Sequence, residues 1–324
     1  RSDREPEATG TPEGSERHVG WSAGTVLEGR EAAGSRRALD GEEAAMNESP
    51  GRRAVTVPAL RERKRSRGAD PIVMVTAYDA PSARVAEAAG VDVVLVGDSV
   101  ANAVLGYADT LQVTVGDMAH HVAAVARTGP RALVVADLPW PSYHQGRRVA
   151  VRSAARLVRA GASAVKLEGG VRRVPVVEAL VDAEIPVMGH LGLTPQSVLA
   201  MGGYRVQGRG AEARERLVAE ALALEAAGIF ALVLEAVPAE AGRAVTEAVG
   251  VPTIGIGAGP DCDGQVLVFH DLVGFGPGPV PRFARRYADL HGQAVQAVTA
   301  WAADVRAGKF PGPEETYPDQ PSGA

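Results

Sequence analysis

The sequence predicts an α/β protein built as a (β/α)8 barrel, a TIM barrel, behind an N-terminal extension of different composition. Three observations predict it. From Pro71 onward, short β-branched runs alternate about eight times with Ala-, Arg- and Glu-rich helical stretches. The segments EAAGVDVVLVGD, VRAGASAVKLEG and EAAGIFALVLEA share one layout: helix end, glycine stop, strand, carboxylate. The turn after the first strand, TAYDAPSA, lacks the glycines that a doubly wound dinucleotide fold places there.

Residues 1–53 are rich in Glu, Arg, Gly, Ser and Ala, and their bulky apolar residues follow no period. Such a segment buries too little surface to offset its ordering entropy. It reads as disordered, or as a stretch upstream of a true translation start at Met46. Residues 54–324 read as one catalytic barrel domain. Hydrophobic residues make up 46% of the chain, enough for a full core; aromatics are only 4%, so Ala, Val and Leu must fill it. The basic run from Leu60 to Arg67 reads as a solvated helix face ending at Gly68.

Seven strands are predicted at Ile72 to Tyr78, Val93 to Asp98, Ala132 to Asp137, Ala164 to Glu168, Pro186 to His190, Ala231 to Glu235 and Pro252 to Gly257. Each is a short apolar run suited to a parallel sheet buried on both faces. The eighth is either Val266 to Phe269 or Leu272 to Phe275; the need for a helix between parallel neighbours favours the second. The clearest helix runs from Ala211 to Gly228, with Leu217, Ala221, Leu224 and Ala227 on one face and Gly228 as its stop. A long C-terminal helix is expected over roughly Pro281 to Gly308.

A net charge of −5 argues against nucleic acid as the main partner. No apolar run approaches the ~20 residues of a membrane helix, and no signal peptide is visible, so the expected location is the cytoplasm. Cys262 is the only cysteine, which excludes an intrachain disulfide and a cysteine-cluster metal site.

Barrel enzymes carry their chemistry at the C-terminal ends of the strands. Here those ends hold Asp98, Asp137, Glu168 and Glu235, with Lys166 two residues before Glu168 and on the same side of its strand. Converging carboxylates repel, so a cation is expected beside Lys166. An oxygen-only donor set of Asp98, Asp137 and Glu168 suits Mg²⁺. Any one of these acids could instead cap the following helix. Glu235, followed by Ala236, Val237 and Pro238, has an apolar setting suited to a general base, or is a surface glutamate. His190 could orient a substrate or satisfy a buried hydrogen bond. His120 and His121 read as structural or exposed. GIGAG, Gly255 to Gly259, is a weak phosphate-cradle signal.

In order along the chain, the motifs TAYD (Thr76 to Asp79), VGDS (Val96 to Ser99), VKLEGG (Val165 to Gly170), GHLGLTPQS (Gly189 to Ser197), GGYRVQGR (Gly202 to Arg209), VLEAVP (Val233 to Pro238) and DGQVLVFHD (Asp263 to Asp271) resemble the ketopantoate hydroxymethyltransferase family. GHLGLTPQS followed by GGYRVQGR is highly specific. The chain departs from the family pattern at Val100 and Ala101, at Ala108 and Gln112, and at Trp140 to Ser142. These positions are expected in loops near the barrel mouth.

The resemblance implies transfer of a one-carbon unit from 5,10-methylenetetrahydrofolate to C3 of 3-methyl-2-oxobutanoate, giving 2-dehydropantoate for pantothenate synthesis through a Mg²⁺-stabilised enolate. It implies that Asp98 and Asp137 hold Mg²⁺, with Glu168 as ligand or through water. Asp98, Ser99, Asp137, Lys166 and His190 would bind the 2-oxoacid, and Glu235 would remove the C3 proton. It also implies a homo-oligomer, often a decamer. Two rivals are a Mg²⁺-dependent 2-oxoacid lyase or aldolase of the phosphoenolpyruvate mutase and isocitrate lyase type, and a non-catalytic barrel. The first normally needs a catalytic cysteine loop that Cys262 does not supply.

Overall fold

In the structure, a computed structural model that describes residues 53–64, 68–276, 278 and 280–317, eight parallel strands close into a barrel in sequence order. The strands are β1 (Ile72–Thr76), β2 (Val93–Val96), β3 (Leu133–Asp137), β4 (Ala164–Glu168), β5 (Val187–Gly192), β6 (Ala231–Glu235), β7 (Thr253–Ile256) and β8 (Gly264–Leu267). The helices are α1 (Val57–Arg61), α2 (Ala80–Ala88), α3 (Val100–Ala103), α4 (Val115–Ala126), α5 (Arg147–Arg159), α6 (Val174–Asp182), α7 (Val198–Met201), α8 (Ala211–Ala226), α9 (Ala239–Ala248), α10 (Phe269–Val273) and α11 (Leu290–Arg306). The expected extension and the Met46 start lie outside the described residues. No described helix is long and apolar enough to cross a membrane.

Strand periodicity divides the core in two. Inward residues such as Met74, Leu95, Val135, Met188, Val233 and Ile254 fill the barrel, while Val94, Val134, Val165 and Leu232 pack outward under the helices. The inward set of β3 to β6 continues upward into Asp137, Lys166, Glu168, His190 and Glu235. The same alternation that buries the apolar floor therefore delivers charged groups to the C-terminal rim. Helix α8 buries Leu217, Ala221 and Leu224 on one face, with Ala227 buried just past its end, as its spacing predicts.

The eighth strand corrects the expectation. It is Gly264–Leu267, and Leu272 to Val273 belong to α10. No helix separates β7 from β8, because the two strands are staggered: Ile254 pairs with Gly264. The chain has to return only about two residues' length, roughly 7 Å, which seven residues span easily. Gly257 (φ 65°) and Gly259 (φ 85°) make the return. A Cβ at Gly259 would lie 2.6 Å from the Cβ of Ala239. The glycines of GIGAG thus serve the turn and its close packing.

The basic run is also corrected. Its helix, α1, ends at Arg61, residues 65–67 are outside the described set, and Lys64 is buried. Its Nζ donates to Thr246 O (2.6 Å), Val251 O (3.2 Å) and Asp263 Oδ2 (2.9 Å). With Leu60 it closes the N-terminal end of the barrel. Removing one member of such a buried pair costs about 3–5 kcal/mol. The C-terminal helix is shorter than expected: Pro281 to Asp289 is irregular, and α11 starts at Leu290 with Asp289 as its N-cap. No residue of α11 is buried.

Candidate active site

All seven side chains singled out at the strand ends line one cavity of about 380 Å³ at the C-terminal end of the barrel. Asp98, Asp137, Lys166, Glu168 and His190 are each buried. None of the four acids is the N-cap of the helix after its strand; those positions belong to Ser99, Gly146, Arg173 and Pro238. The capping alternative is therefore set aside. A wider groove at the opposite end, between α1 and β5, brings no comparable set together.

Three strands build the oxygen-rich side. Lys166 Nζ lies 2.8 Å from Asp137 Oδ1, across the β3–β4 register that pairs Asp137 with Lys166. The other oxygen, Asp137 Oδ2, accepts the backbone N–H of Asp98 at 3.1 Å. Asp98 lies beyond the end of β2, where the chain has left the strand and alternation no longer sets its direction. Ser99 Oγ is 2.8 Å from the Tyr78 hydroxyl.

Gln196 is a part that sequence reasoning missed, although it sits within GHLGLTPQS. Its Nε2 donates to Asp98 Oδ2 (2.8 Å) and Leu138 O (2.9 Å), its N–H donates to Glu168 Oε2 (3.0 Å), and its Oε1 accepts from Tyr143 (2.8 Å). One buried amide thereby fixes two carboxylates from different strands. Only the amide's chemistry is legible in the sequence; its partners, up to 98 residues away, are not.

His190 connects this side to Glu235. Its Nδ1 faces Glu168 Oε1 at 3.4 Å and Lys166 Nζ at 3.3 Å, and its Nε2 faces Glu235 Oε2 at 3.3 Å. Burial and the Lys166 charge oppose its protonation, yet the two carboxylates prevail and raise its pKa to about 9. Burial works against the Lys166 ammonium as well, but Asp137, Glu168 and Asp98 hold it charged. Burial foremost, then repulsion from Asp137 and Glu168, pushes the Asp98 carboxyl well above the usual range. Burial alone would raise Glu168; His190, Lys166 and the Gln196 N–H bring it below its ordinary value.

The backbone beside Glu235 is unusually constrained. Ala236 has φ 46°, a left-handed conformation costing about 1–3 kcal/mol for a non-glycine residue. It is held by Ala236 N–H to Ile256 O (2.9 Å) and Gln207 N–H to Ala236 O (3.0 Å). Gly192 (φ 92°) lies against the same place: a Cβ there would sit 2.2 Å from Glu235 O. Leu193 N–H donates to that carbonyl at 2.8 Å.

The carboxyls of Asp98, Asp137, Glu168 and Glu235 outnumber the two cationic groups among them, Lys166 and His190. Among the described residues, no group of three or more His, Cys, Asp and Glu side chains is placed to hold a metal ion. Two carboxylates, with waters or substrate completing the shell, are what Mg²⁺ requires, so the residues fit. Both Glu168 oxygens already face Gln196 and His190, which suits contact through water.

A model of the ketopantoate hydroxymethyltransferase family matches residues 54–313. The chain belongs to that family. It is 56% identical over 267 residues to a 3-methyl-2-oxobutanoate hydroxymethyltransferase of Pyrobaculum calidifontis, covering 82% of this chain and 99% of the relative. It is 58% identical over 246 residues to the protein of the same name in a Methylobacterium, covering 76% and 85%. The chain is thus an enzyme of the hydroxymethyltransferase class, which sets aside the lyase and non-catalytic readings. Among solved structures, 2,3-dimethylmalate lyase, of the phosphoenolpyruvate mutase and isocitrate lyase superfamily, shares the fold at TM-score 0.52 and 22% identity, covering 81% of this chain and 92% of its own.

The family departures fall into two groups. Ala108 lines the cavity and Trp140 is exposed, as expected of the mouth. Val100 and Ala101 are instead fully buried in the shell between strands and helices. His121 Nδ1 lies 2.7 Å from Tyr78 O, a structural role, and His120 is exposed.

Proposed function

We propose that the enzyme joins the methylene carbon of 5,10-methylenetetrahydrofolate to C3 of 3-methyl-2-oxobutanoate, with Glu235 as the base. The observation that carries this reading is the placement of Glu235 across His190 from the Asp98, Asp137 and Lys166 group in one cavity. A 2-oxoacid has adjacent keto and carboxylate oxygens at one end and an acidic C3–H at the other. The polar side of the cavity suits the first and Glu235 the second.

Asp98 and Asp137 would hold Mg²⁺, with Glu168 reaching it through water. The ion, when bound, supplies a Lewis acid for the two substrate oxygens. Lys166, fixed by Asp137, adds positive charge beside the same oxygens, and Ser99 offers a hydroxyl. Glu235 takes the C3 proton, a role worth typically ~10²–10⁴ in rate. His190, whose Nε2 faces Glu235 Oε2 at 3.3 Å, holds that carboxylate in place. The electron pair left on C3 forms the new bond to the methylene carbon. Both C–N bonds of the methylene bridge break, and water supplies the hydroxyl. The second water proton and the proton taken from C3 end on the two folate nitrogens, so the products are 2-dehydropantoate and tetrahydrofolate.

The Asp137→Ala variant tests the polar side. Calorimetric titration of substrate with and without Mg²⁺ should show affinity and metal dependence lost together, by at least about tenfold, the equivalent of 1.4 kcal/mol. A normal metal titration would remove Asp137 from the ligand set.

A further inference from the structure

The cavity has two unlike halves. Going round the rim from β2 to β5 the groups are ionic: Asp98, Asp137, Lys166, Glu168 and His190. Going on from β5 to β8, beyond Glu235, the polar floor gives way to two aromatic rings and one carboxyl. Tyr204, in the segment after α7, lines the cavity and is half exposed. Its segment is tied to β6 by the Gln207 N–H bond to Ala236 O, next to Glu235. Burial, then Asp109, Asp98 and Glu235, raise the Tyr204 phenol. Phe283, 37% exposed, also lines the cavity. A Cβ on Gly257 would meet that ring at 2.9 Å, so the ring lies against the backbone just past β7. Both rings line the cavity that Glu235 also lines.

On α10 after β8, Asp271 also lines the cavity. Burial raises its carboxyl, with Arg286 opposing. Across the cavity the buried Thr110 hydroxyl has no hydrogen-bond partner among the described residues. Neither Asp271 nor the rings have a part in holding the 2-oxoacid.

The geometry points to Tyr204, Phe283 and Asp271 as the seat of the one-carbon donor's flat heterocycle, the rings covering its faces and the carboxyl its N–H edge. This rests on the folate reading above. A pterin carries an N–H and an exocyclic NH₂ side by side, the donor pair a carboxylate accepts. Seated in the cavity that Glu235 lines, its reactive carbon comes within reach of the C3 that Glu235 deprotonates. The aromatic half thus explains how a small cavity orders two substrates: the ionic half selects one, the stacking half the other.

The test measures tetrahydrofolate affinity by calorimetry under reducing conditions, alongside donor-free exchange of the C3 proton of 3-methyl-2-oxobutanoate in D₂O. Tyr204→Ala, Phe283→Ala and Asp271→Asn should each raise the tetrahydrofolate Kd about tenfold. Exchange should stay within about twofold of wild type, and Tyr204→Phe, which keeps the ring, should bind nearly normally. Unchanged Kd values in the two alanine variants would overturn the assignment, and so would exchange falling in step with affinity, which would move these residues to the 2-oxoacid half. Absence of exchange in the wild-type enzyme would instead defeat the Glu235 reading, while the affinities still judge the seat.

Discussion

At the scale of residues, the site is a chain of contacts from Asp98 to Glu235 in which each charged group is fixed by a neighbour. Gln196 holds Asp98 and Glu168, Lys166 holds Asp137, and His190 joins Glu168 to Glu235. Glu235 differs in being the most open of the acids, its side chain 15% exposed where that of Glu168 is 3%. That opening lets it meet a substrate. Glu235→Gln should keep Mg²⁺-dependent substrate binding and lose turnover by ~10²–10⁴; steady-state kinetics with a binding titration checks both, and unchanged kcat would refute the base. The acids and Lys166 were legible because a period of two and the barrel rule assign direction and end. Gln196 and Tyr143 were not, because their value lies in partners far along the chain. The strain at Ala236 also has no sequence signal, since alanine gives no hint of positive φ.

At the scale of elements, seven strands follow from apolar runs, with ends within two residues of those observed. The eighth did not, because the stagger between β7 and β8 is a property of the closed barrel rather than of the segment. Elements are also held together by charge away from the site. Glu87, in the last turn of α2, accepts the N–H groups of Arg131 (2.9 Å) and Ala132 (3.3 Å) and pairs with the Arg131 guanidinium. Partial burial would raise its carboxyl; Arg131 and the two N–H donors outweigh that and hold it below its ordinary value. A carboxyl depressed on folding contributes stability that is complete above its unfolded pKa of about 4.3 and is lost as pH falls through the lower folded value. Glu87→Gln should therefore lower stability at pH 7, by less than about 1 kcal/mol for so exposed a pair, and reduce the drop in Tm between pH 5 and pH 3. Thermal melts at the two pH values check this; an undiminished drop would contradict it.

At the scale of the whole molecule, two apolar surfaces are left open among the described residues. Val73 of β1 is half exposed, and α11 presents Val295, Val298, Trp301 and Val305 to solvent with no buried residue of its own. A 17-residue helix gains most of its stability from packing an apolar face, so these surfaces call for a partner. A second copy of this chain is the expected one, and light scattering should give a mass that is a multiple of the monomer. Trp301→Asp should shift it toward the monomer, and a monomeric wild-type protein would contradict the expectation. The whole-molecule reading nevertheless turns on the site. Proton NMR of 3-methyl-2-oxobutanoate in D₂O, with purified enzyme and no folate, tests it most directly. The C3–H signal should be lost only when Mg²⁺ is present, and 2-dehydropantoate should follow once 5,10-methylenetetrahydrofolate is added. A C3–H signal that persists in folded, Mg²⁺-supplied enzyme would contradict it.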